Sequence, residues 1–369
     1  MPNTKVNNLG IGNYPVGTNN VALGTGALIA NTTTGCQNTA VGSDSLKCNT
    51  TACCNTAVGD LALSLTTTGI SNTAVGTTAM QCNTTGCQNT AVGRSALLKN
   101  TTGTNNTAVG IGASLCNTTG CQNTAVGFSA NRFNETGIDN IALGFASLCS
   151  NTASDNTGIG RNALYLNTTG CENVSVGSGT LDANTTGIQS TALGHGSLSS
   201  NSTGCRNVGV GYLSLLCLTT GINNTAIGTT AGVTGLAPEG IVNLTTQCNR
   251  IVMGNNEHTC AQIKIAWTVT SDARDKTCID VVPHGLCFVK QLNPISFFYK
   301  KSRDENSPSG NKRYGFKAQD ILPLEQGDAV IISDDEPEKL QYNESSLIPV
   351  LVNAIKELTA KVEALENKS

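Results

Sequence analysis

The sequence predicts a mainly β protein: a trimeric parallel β-helix or β-roll of 17-residue repeats, followed by a small α+β domain that ends in a coiled-coil helix. Three observations favour this fold class. A glycine-containing motif recurs at near-constant spacing, the density of charged residues changes near residue 235, and the C-terminal end carries a heptad pattern of apolar residues.

The first 235 residues repeat an Asn-Thr-Ala-Val-Gly motif or a close variant of it. The steps between the motif glycines are 18, then six of 17, one of 16 and four of 17 residues. Such a fixed period indicates a stack of one small supersecondary unit. The thirteen glycines are Gly24, Gly42, Gly59, Gly76, Gly93, Gly110, Gly127, Gly144, Gly160, Gly177, Gly194, Gly211 and Gly228.

Each repeat predicts a coil of a β-helix with two short strands and two turns. A helix is excluded because glycine and Asn-Thr-Thr-Gly turns recur in every period. The motif Asn is expected to form a stacked amide ladder, and the glycine to need positive φ or close backbone approach. A second inward position lies four residues after the glycine, at Leu28, Leu46, Leu63, Met80, Leu97, Leu148, Leu164, Leu181, Leu198 and Leu215.

The inward residues of a coil are few and small, so we expect one chain to be too thin for a core and three chains to share an axis. The motif resembles the head repeats of trimeric autotransporter adhesins. It resembles more closely the repeat arrays found ahead of tail-fibre chaperone domains. That resemblance covers about residues 20–235 and implies a homotrimer.

Charge divides the chain. Residues 1–235 hold 14 of the charged side chains (7 basic and 7 acidic), and the remaining 134 residues hold 33 (15 and 18). We therefore predict a repeat stalk over 1–235, connector strands over 236–270 and a separate domain over 271–369. Net charge of −3 predicts no nucleic-acid partner. No apolar run is long enough for membrane insertion, and the N-terminus does not read as a secretory signal.

Sixteen cysteines are present, most of them at two fixed positions of the period. Six residues before the glycine, Cys exchanges with Ile, which favours a buried apolar slot filled by free thiols. Local disulfides remain an alternative at Cys48/Cys53, Cys82/Cys87 and Cys116/Cys121, which flank four-residue turns. A metal site is disfavoured by the spacing and by the absence of accompanying His.

Three motifs follow the connector in order: Ser271-Asp272-Ala273-Arg274-Asp275-Lys276, a Gln291–Tyr299 run, and Arg313–Asp320. Together they resemble the intramolecular chaperone domain of the endosialidase type, which ends phage tail spikes and fibres. The resemblance implies that the domain assembles the trimer and then cuts itself off between Thr270 and Ser271. It also implies supporting positions at Asp272, Arg274, Gly315, Phe316, Ala318, Gln319 and Asp320.

The same resemblance implies a Ser271–Lys276 dyad. Serine is a weak nucleophile at neutral pH, and a partly desolvated lysine can serve as its base. Ser271 would then attack the carbonyl of Thr270 and release Ser271–Ser369. The alternatives are two ordinary surface residues at a domain junction, or a domain that assembles without cutting.

The last helix, about residues 346–367, carries an apolar seam stepping 3-4-3-4-3, which predicts a coiled coil that trimerises the chain. An amphipathic helix packed on its own domain is the alternative. The seam is Ile348, Leu351, Ile355, Leu358, Val362 and Leu365.

These features favour a structural fibre or spike protein of a virion, made in the host cytoplasm, that attaches to a host-surface glycan or protein and contacts other virion proteins. A bacterial surface adhesin is the alternative. A glycan-degrading spike is less favoured, because a glycosidase needs two facing carboxylates and the few repeat acids are scattered. No cofactor and no metal are expected, and the only expected enzyme activity is self-cleavage.

Overall fold

The computed structural model describes residues 17–234, 242–255, 257–258, 271–300, 306–327, 329–334 and 340–368. The chain divides into two compact units, Met1–Asn255 and Asn256–Ser369. Each unit has a hydrophobic core of its own.

The first unit is a parallel β-solenoid, as the repeat predicts. Its fourteen three-residue strands form one sheet in chain order, and equivalent residues pair, as Ala40 does with Ala57. The strands are β1 Val21–Leu23, β2 Thr39–Val41, β3 Thr56–Val58, β4 Thr73–Val75, β5 Thr90–Val92, β6 Thr107–Val109, β7 Thr124–Val126, β8 Ile141–Leu143, β9 Thr157–Ile159, β10 Val174–Val176, β11 Thr191–Leu193, β12 Val208–Val210, β13 Thr225–Ile227 and β14 Ile251–Met253.

Each coil has one strand rather than the two expected. The inward Leu after the glycine lies in a run of turns with left-handed backbone, at φ 48° for Leu46 and 51° for Leu63. This conformation costs about 1–2 kcal/mol, and burial of the Leu side chain offsets it with about 1.5–3 kcal/mol. The Leu46 N–H also bonds the Ala62 carbonyl of the next coil at 3.0 Å.

The core lies inside a single chain. The central strand alanines and the left-handed leucines, such as Ala91 and Leu97, are fully buried. The Asn column forms the expected ladder: the Asn72 N–H donates to Asn55 Oδ1 at 2.9 Å, and Asn72 Nδ2 donates to the Gly86 carbonyl at 2.8 Å. The expectation that one chain is too thin for a core was therefore wrong. The buried Asn side chains occupy the space that the small apolar residues do not fill, and they form hydrogen bonds to the backbone there.

The motif glycines meet both expected requirements. Gly93 has φ +131°, and a Cβ there would lie 2.6 Å from the carbonyl oxygen of Gly110 in the next coil. Only a residue without a side chain allows this stacking distance.

The sheet continues past residue 235. Strand β14 pairs with β13 through Ala226 and Val252, so the last coil of the solenoid lies within the segment 236–270 that the sequence assigns to a connector. The second expected connector strand, over 263–270, lies outside the described residues.

The Cys/Ile column lies on the surface of the solenoid. We use this name for the residues six before each motif glycine, together with Cys248. Its isoleucines are 37–45% exposed at Ile70, Ile138 and Ile222, and most of its cysteines are half-buried. The expectation of a buried slot was wrong here, although Cys116 and Cys149 elsewhere in the coil are buried. All described cysteines are free thiols.

The second unit combines short helices, two small antiparallel sheets and a long C-terminal helix. Strand β15 pairs with β16, and β17 pairs with β18. Phe288, Ile321, Ile331, Ile332, Leu347 and Val350 form its core. Its elements are α1 Leu286–Val289, β15 Ile295–Lys300, β16 Pro308–Gly315, α2 Ala318–Ile321, β17 Ile332–Ser333, β18 Gln341–Tyr342 and α3 Glu344–Glu366.

Candidate functional site

Ser271 and Lys276 meet at the start of the second unit. A 3-10 turn over Ala273–Asp275 folds the intervening residues back, and its last bond runs from the Lys276 N–H to the Ala273 carbonyl at 3.2 Å. The turn places Lys276 Nζ 2.7 Å from Ser271 Oγ, with the ammonium donating to the hydroxyl. A nucleophile and its prospective base are thus within direct hydrogen-bond reach.

Asp272 and Arg274 hold the turn. The Asp272 carboxylate accepts the Arg274 backbone N–H at 2.9 Å, as an N-cap, and the Arg274 Nη2 at 2.6 Å. The hydrogen bonds from the Arg274 guanidinium and backbone lower the pKa of the Asp272 carboxyl below its usual value. These contacts brace the turn between Ser271 and Lys276.

The dyad is exposed on this single chain. Both Ser271 and Lys276 lie in the exposed class of side chains. A protonated Nζ donates to the serine hydroxyl and cannot accept its proton, so Lys276 could act as a base only as the neutral amine.

The third motif, Arg313–Asp320, contributes to the fold of the domain. Gly315 ends β16 beneath the Phe297 ring, where a Cβ would lie 3.1 Å from a ring carbon. Phe316 packs against the core and meets Tyr342 edge to face at 6.0 Å. Ala318, Gln319 and Asp320 form α2. In the described residues no hydrogen bond joins this motif to Ser271 or Lys276, and its contacts are those of domain packing.

Two residues of α3 that sequence analysis did not single out fasten the segment following the dyad. Asn353 Nδ2 donates to the carbonyls of Val282 and His284 at 3.1 and 3.3 Å. Glu357 Oε2 accepts the Leu286 N–H at 3.0 Å, at the start of α1. These partners are 69–71 residues apart in the chain, so no local sequence signal could have found them.

Helix α3 carries two separate apolar faces. Leu347, Val350 and Ala354 are buried against the domain's own core. The predicted seam is rotated away from that face and is solvent-exposed, from 38% at Leu351 to 68% at Leu365. Packing on its own domain therefore does not account for the seam.

An apolar groove adjoins the first turns of this seam. It has a volume of about 790 Å³ and is lined by Pro294, Phe316, Tyr342, Ile348 and Leu351, among others. Among the described residues, no cluster of His, Cys, Asp or Glu has the makings of a metal site. None of the described helices is both long and apolar enough to cross a membrane. Thr270, the residue before the expected cut, lies outside the described residues.

Comparison with known protein families gives one match. Residues 271–329 fit the family model described as chaperone of endosialidase. The match begins at Ser271, the first residue of the dyad, and covers Lys276 and the Gly315–Asp320 motif. No curated protein and no solved structure matches the chain.

Proposed function

We propose that the C-terminal domain, whose residues 271–329 fit the chaperone-of-endosialidase family model, trimerises a fibre or spike protein of a virion and is then released by autoproteolysis. The fibre remaining would be the β-solenoid, which attaches the particle to a glycan or protein of the host surface. The observation that carries the proposal is the second apolar face of α3, which is exposed to solvent in the part of the domain that the structure describes.

Exposed apolar side chains of this number are uncommon on a monomer and mark contact surfaces. Six seam residues in heptad register suit knobs-into-holes packing of parallel helices. The solenoid adds a second surface, which we call the outer stripe: the third residue of each strand. Val58, Val75, Val92, Leu193 and Ile227 of this stripe are 36–47% exposed. Three chains brought into register by α3 would bury both.

Autoproteolysis would follow assembly. In the assembled state, neighbouring chains would cover Ser271 and Lys276 and favour the neutral amine. Lys276 Nζ would take the proton of Ser271 Oγ as the oxygen bonds to the carbonyl carbon of Thr270. The Thr270–Ser271 C–N bond then breaks, the proton passes to the freed amino group of Ser271, and water hydrolyses the ester.

The hydrogen bonds of Asn353 and Glu357 would couple assembly through α3 to the dyad. Both lie in the stretch of α3 that carries the seam, on a different face of the helix, and both hold the segment that follows Lys276. Helix packing that orders α3 would therefore also order this segment. Assembly before cleavage would leave the fibre kinetically trapped, since the nucleating domain is gone.

Expression of the full chain tests the proposal. We expect a released fragment of 99 residues, Ser271 to Ser369, and a trimeric remainder by native mass spectrometry. Ser271→Ala should leave an intact trimer. Lys276→Arg should do the same, because arginine keeps the charge and cannot give up its proton. Lys290→Arg, at an exposed lysine of the same domain, is the matched control and should cleave normally.

The outcomes separate the two halves of the proposal. An intact wild-type trimer would contradict autoproteolysis alone. An intact wild-type monomer would contradict both trimerisation and cleavage, and cleavage that persists in Ser271→Ala would exclude Ser271 as the nucleophile.

A further inference from the structure

The Cys/Ile column brings two thiols of consecutive coils together. Cys36 lies three residues before β2 and Cys53 three residues before β3, so the parallel register stacks one on the other. Cys36 Sγ lies 3.0 Å from Cys53 Sγ, and the Cys36 backbone N–H also donates to Cys53 Sγ at 3.3 Å. These residues are 17 apart in sequence, and they are not one of the local turn pairs considered above.

Cys36 and Cys53 differ from the other described cysteines of the column because they occupy consecutive coils. Beyond Cys53, the cysteines alternate with other residues: Ile70 precedes Cys87, Thr104 precedes Cys121, and each donates its N–H to the sulfur that follows. Coils repeat at about 4.8 Å, so cysteines two coils apart are about 9.6 Å apart. A disulfide requires Cα atoms no more than about 7 Å apart. Among the described coils, Cys36 and Cys53 are the column's adjacent pair of thiols.

We propose that Cys36 and Cys53 are a disulfide site that staples the second and third coils when the protein meets an oxidising environment. The oxidant is a small disulfide such as oxidised glutathione. One cysteine thiolate attacks it, forming a mixed disulfide and releasing one glutathione thiol. The second thiolate attacks the protein sulfur, forming the Cys36–Cys53 bond and releasing the other. The two cysteines lose two protons and two electrons, and glutathione disulfide gains them.

The neighbourhood of the pair fits this chemistry. Both side chains are half-buried and not enclosed, so a small oxidant reaches them. The hydrogen bond with the Cys53 thiol raises the pKa of Cys36 above its usual value. A third thiol, Cys54, is exposed and turned aside, and it donates to Gln37 Oε1 at 3.3 Å.

The staple would secure one end of the solenoid. Terminal repeats of a linear array have a neighbour on one side only and open first. Joining the second coil to the third fixes the coil-to-coil register there without blocking the outer stripe, which lies on the strands.

Non-reducing peptide mapping of the purified full chain, with and without oxidised glutathione, tests the proposal. After oxidation we expect a linked Cys36–Cys53 peptide, lighter by two hydrogen atoms than its parts, and alkylation of both cysteines falling from near complete to near zero. Cys36→Ser and Cys53→Ser should each abolish the link. Cys87→Ser, in the same column without an adjacent thiol, should leave it unchanged.

The measurement on the wild-type chain tests the proposed Cys36–Cys53 disulfide even if a variant misfolds. Free, fully alkylated Cys36 and Cys53 after oxidation of the folded chain would overturn the proposal. So would a predominant link from either of them to Cys54, or between chains.

Discussion

At the scale of single residues, the glycine that follows each strand is the least replaceable part of a coil. Its backbone is left-handed and its missing side chain faces the next coil's carbonyl. Gly179 of the repeat shares only the first property. Gly179, at φ +63°, has no atom within 4 Å of where a Cβ would stand. Substitutions at a motif glycine and at Gly179 therefore separate the cost of the left-handed backbone from the cost of the close contact with the next coil.

We predict that Gly93→Ala destabilises the solenoid by about 4 kcal/mol or more, the range of strained core substitutions. Gly179→Ala should cost only about 1–2 kcal/mol, the penalty for a left-handed alanine. Denaturant unfolding followed by circular dichroism measures both. Equal losses for the two variants would show that stacking distance is not what selects glycine in the motif.

The turn between Ser271 and Lys276 should be sensitive to acid. Because the folded pKa of Asp272 is lowered, its contribution to the turn is present above the unfolded value of about 3.9 and is lost as pH falls through the folded pKa. Carbon-13 titration of the Asp272 carboxyl in the uncleavable Ser271→Ala chain should show a midpoint below that value. Adding Arg274→Gln should move it upward, and an unmoved midpoint would contradict the assigned cause.

At the scale of elements, the Asn ladder joins neighbouring coils by hydrogen bonds, as the backbone of a longer strand would in an ordinary sheet. Asn89 donates to the carbonyl of Gly103 at 2.8 Å and accepts the N–H of Asn106 at 2.9 Å. Its own N–H donates to Asn72. Every coil is thereby bonded to the ones before and after it through side chains that are almost wholly buried.

Asn89→Ala should therefore lower the free energy of unfolding by about 2–4 kcal/mol. The buried Asn106 N–H loses its partner, at about 1–3 kcal/mol, and the Gly103 carbonyl loses one of its two side-chain hydrogen bonds, at about 1 kcal/mol. Thr85→Ala is the control in the same coil, since Thr85 is exposed and should change stability by less than about 0.5 kcal/mol. Denaturant midpoints at equal chain concentration give the comparison. A loss no larger than that of Thr85→Ala would refute a stabilising ladder.

At the scale of the whole molecule, α3 joins the fold of one domain to the proposed contact with other copies. One face packs on the core of the second unit, Asn353 and Glu357 beside that face hold the segment after the dyad, and the seam is exposed to solvent. Since the solenoid has its own core, a trimer is not needed to fold a coil. The proposed trimer would instead cover the seam and the outer stripe.

We predict that Ile355→Asp in the Ser271→Ala background converts the trimer to monomers in sedimentation experiments, since a charge at an a position opposes apolar packing. Ala360→Asp, exposed on the same helix outside the seam, should remain trimeric. Circular dichroism should show the solenoid retained in both. A trimer that survives Ile355→Asp would move the proposed assembly surface away from α3.

The 17-residue period determined which residues are equivalent, and so it predicted the parallel solenoid, the Asn ladder and the glycine column. Residues one period apart occupy equivalent positions in successive coils, whatever the shape of the coil. The break in charge predicted a second domain, and the motif starting at Ser271 predicted the family whose model fits residues 271–329. The Ser271–Lys276 pair was implied by the family resemblance, and the 3-10 turn brings the two side chains to within 2.7 Å.

Burial was decided by the tertiary structure alone. A period says that Cys36, Cys53 and Ile70 share a site, but the cross-section of the coil decides that the site is half-exposed and that Cys36 faces Cys53. The tertiary structure also decided three other features. These are the left-handed backbone of the leucines, the core formed by a single chain, and the hydrogen bonds from Asn353 and Glu357 to the segment after the dyad. Each depends on which side of a folded coil or helix a residue faces, and that direction is fixed only when the backbone closes around its core.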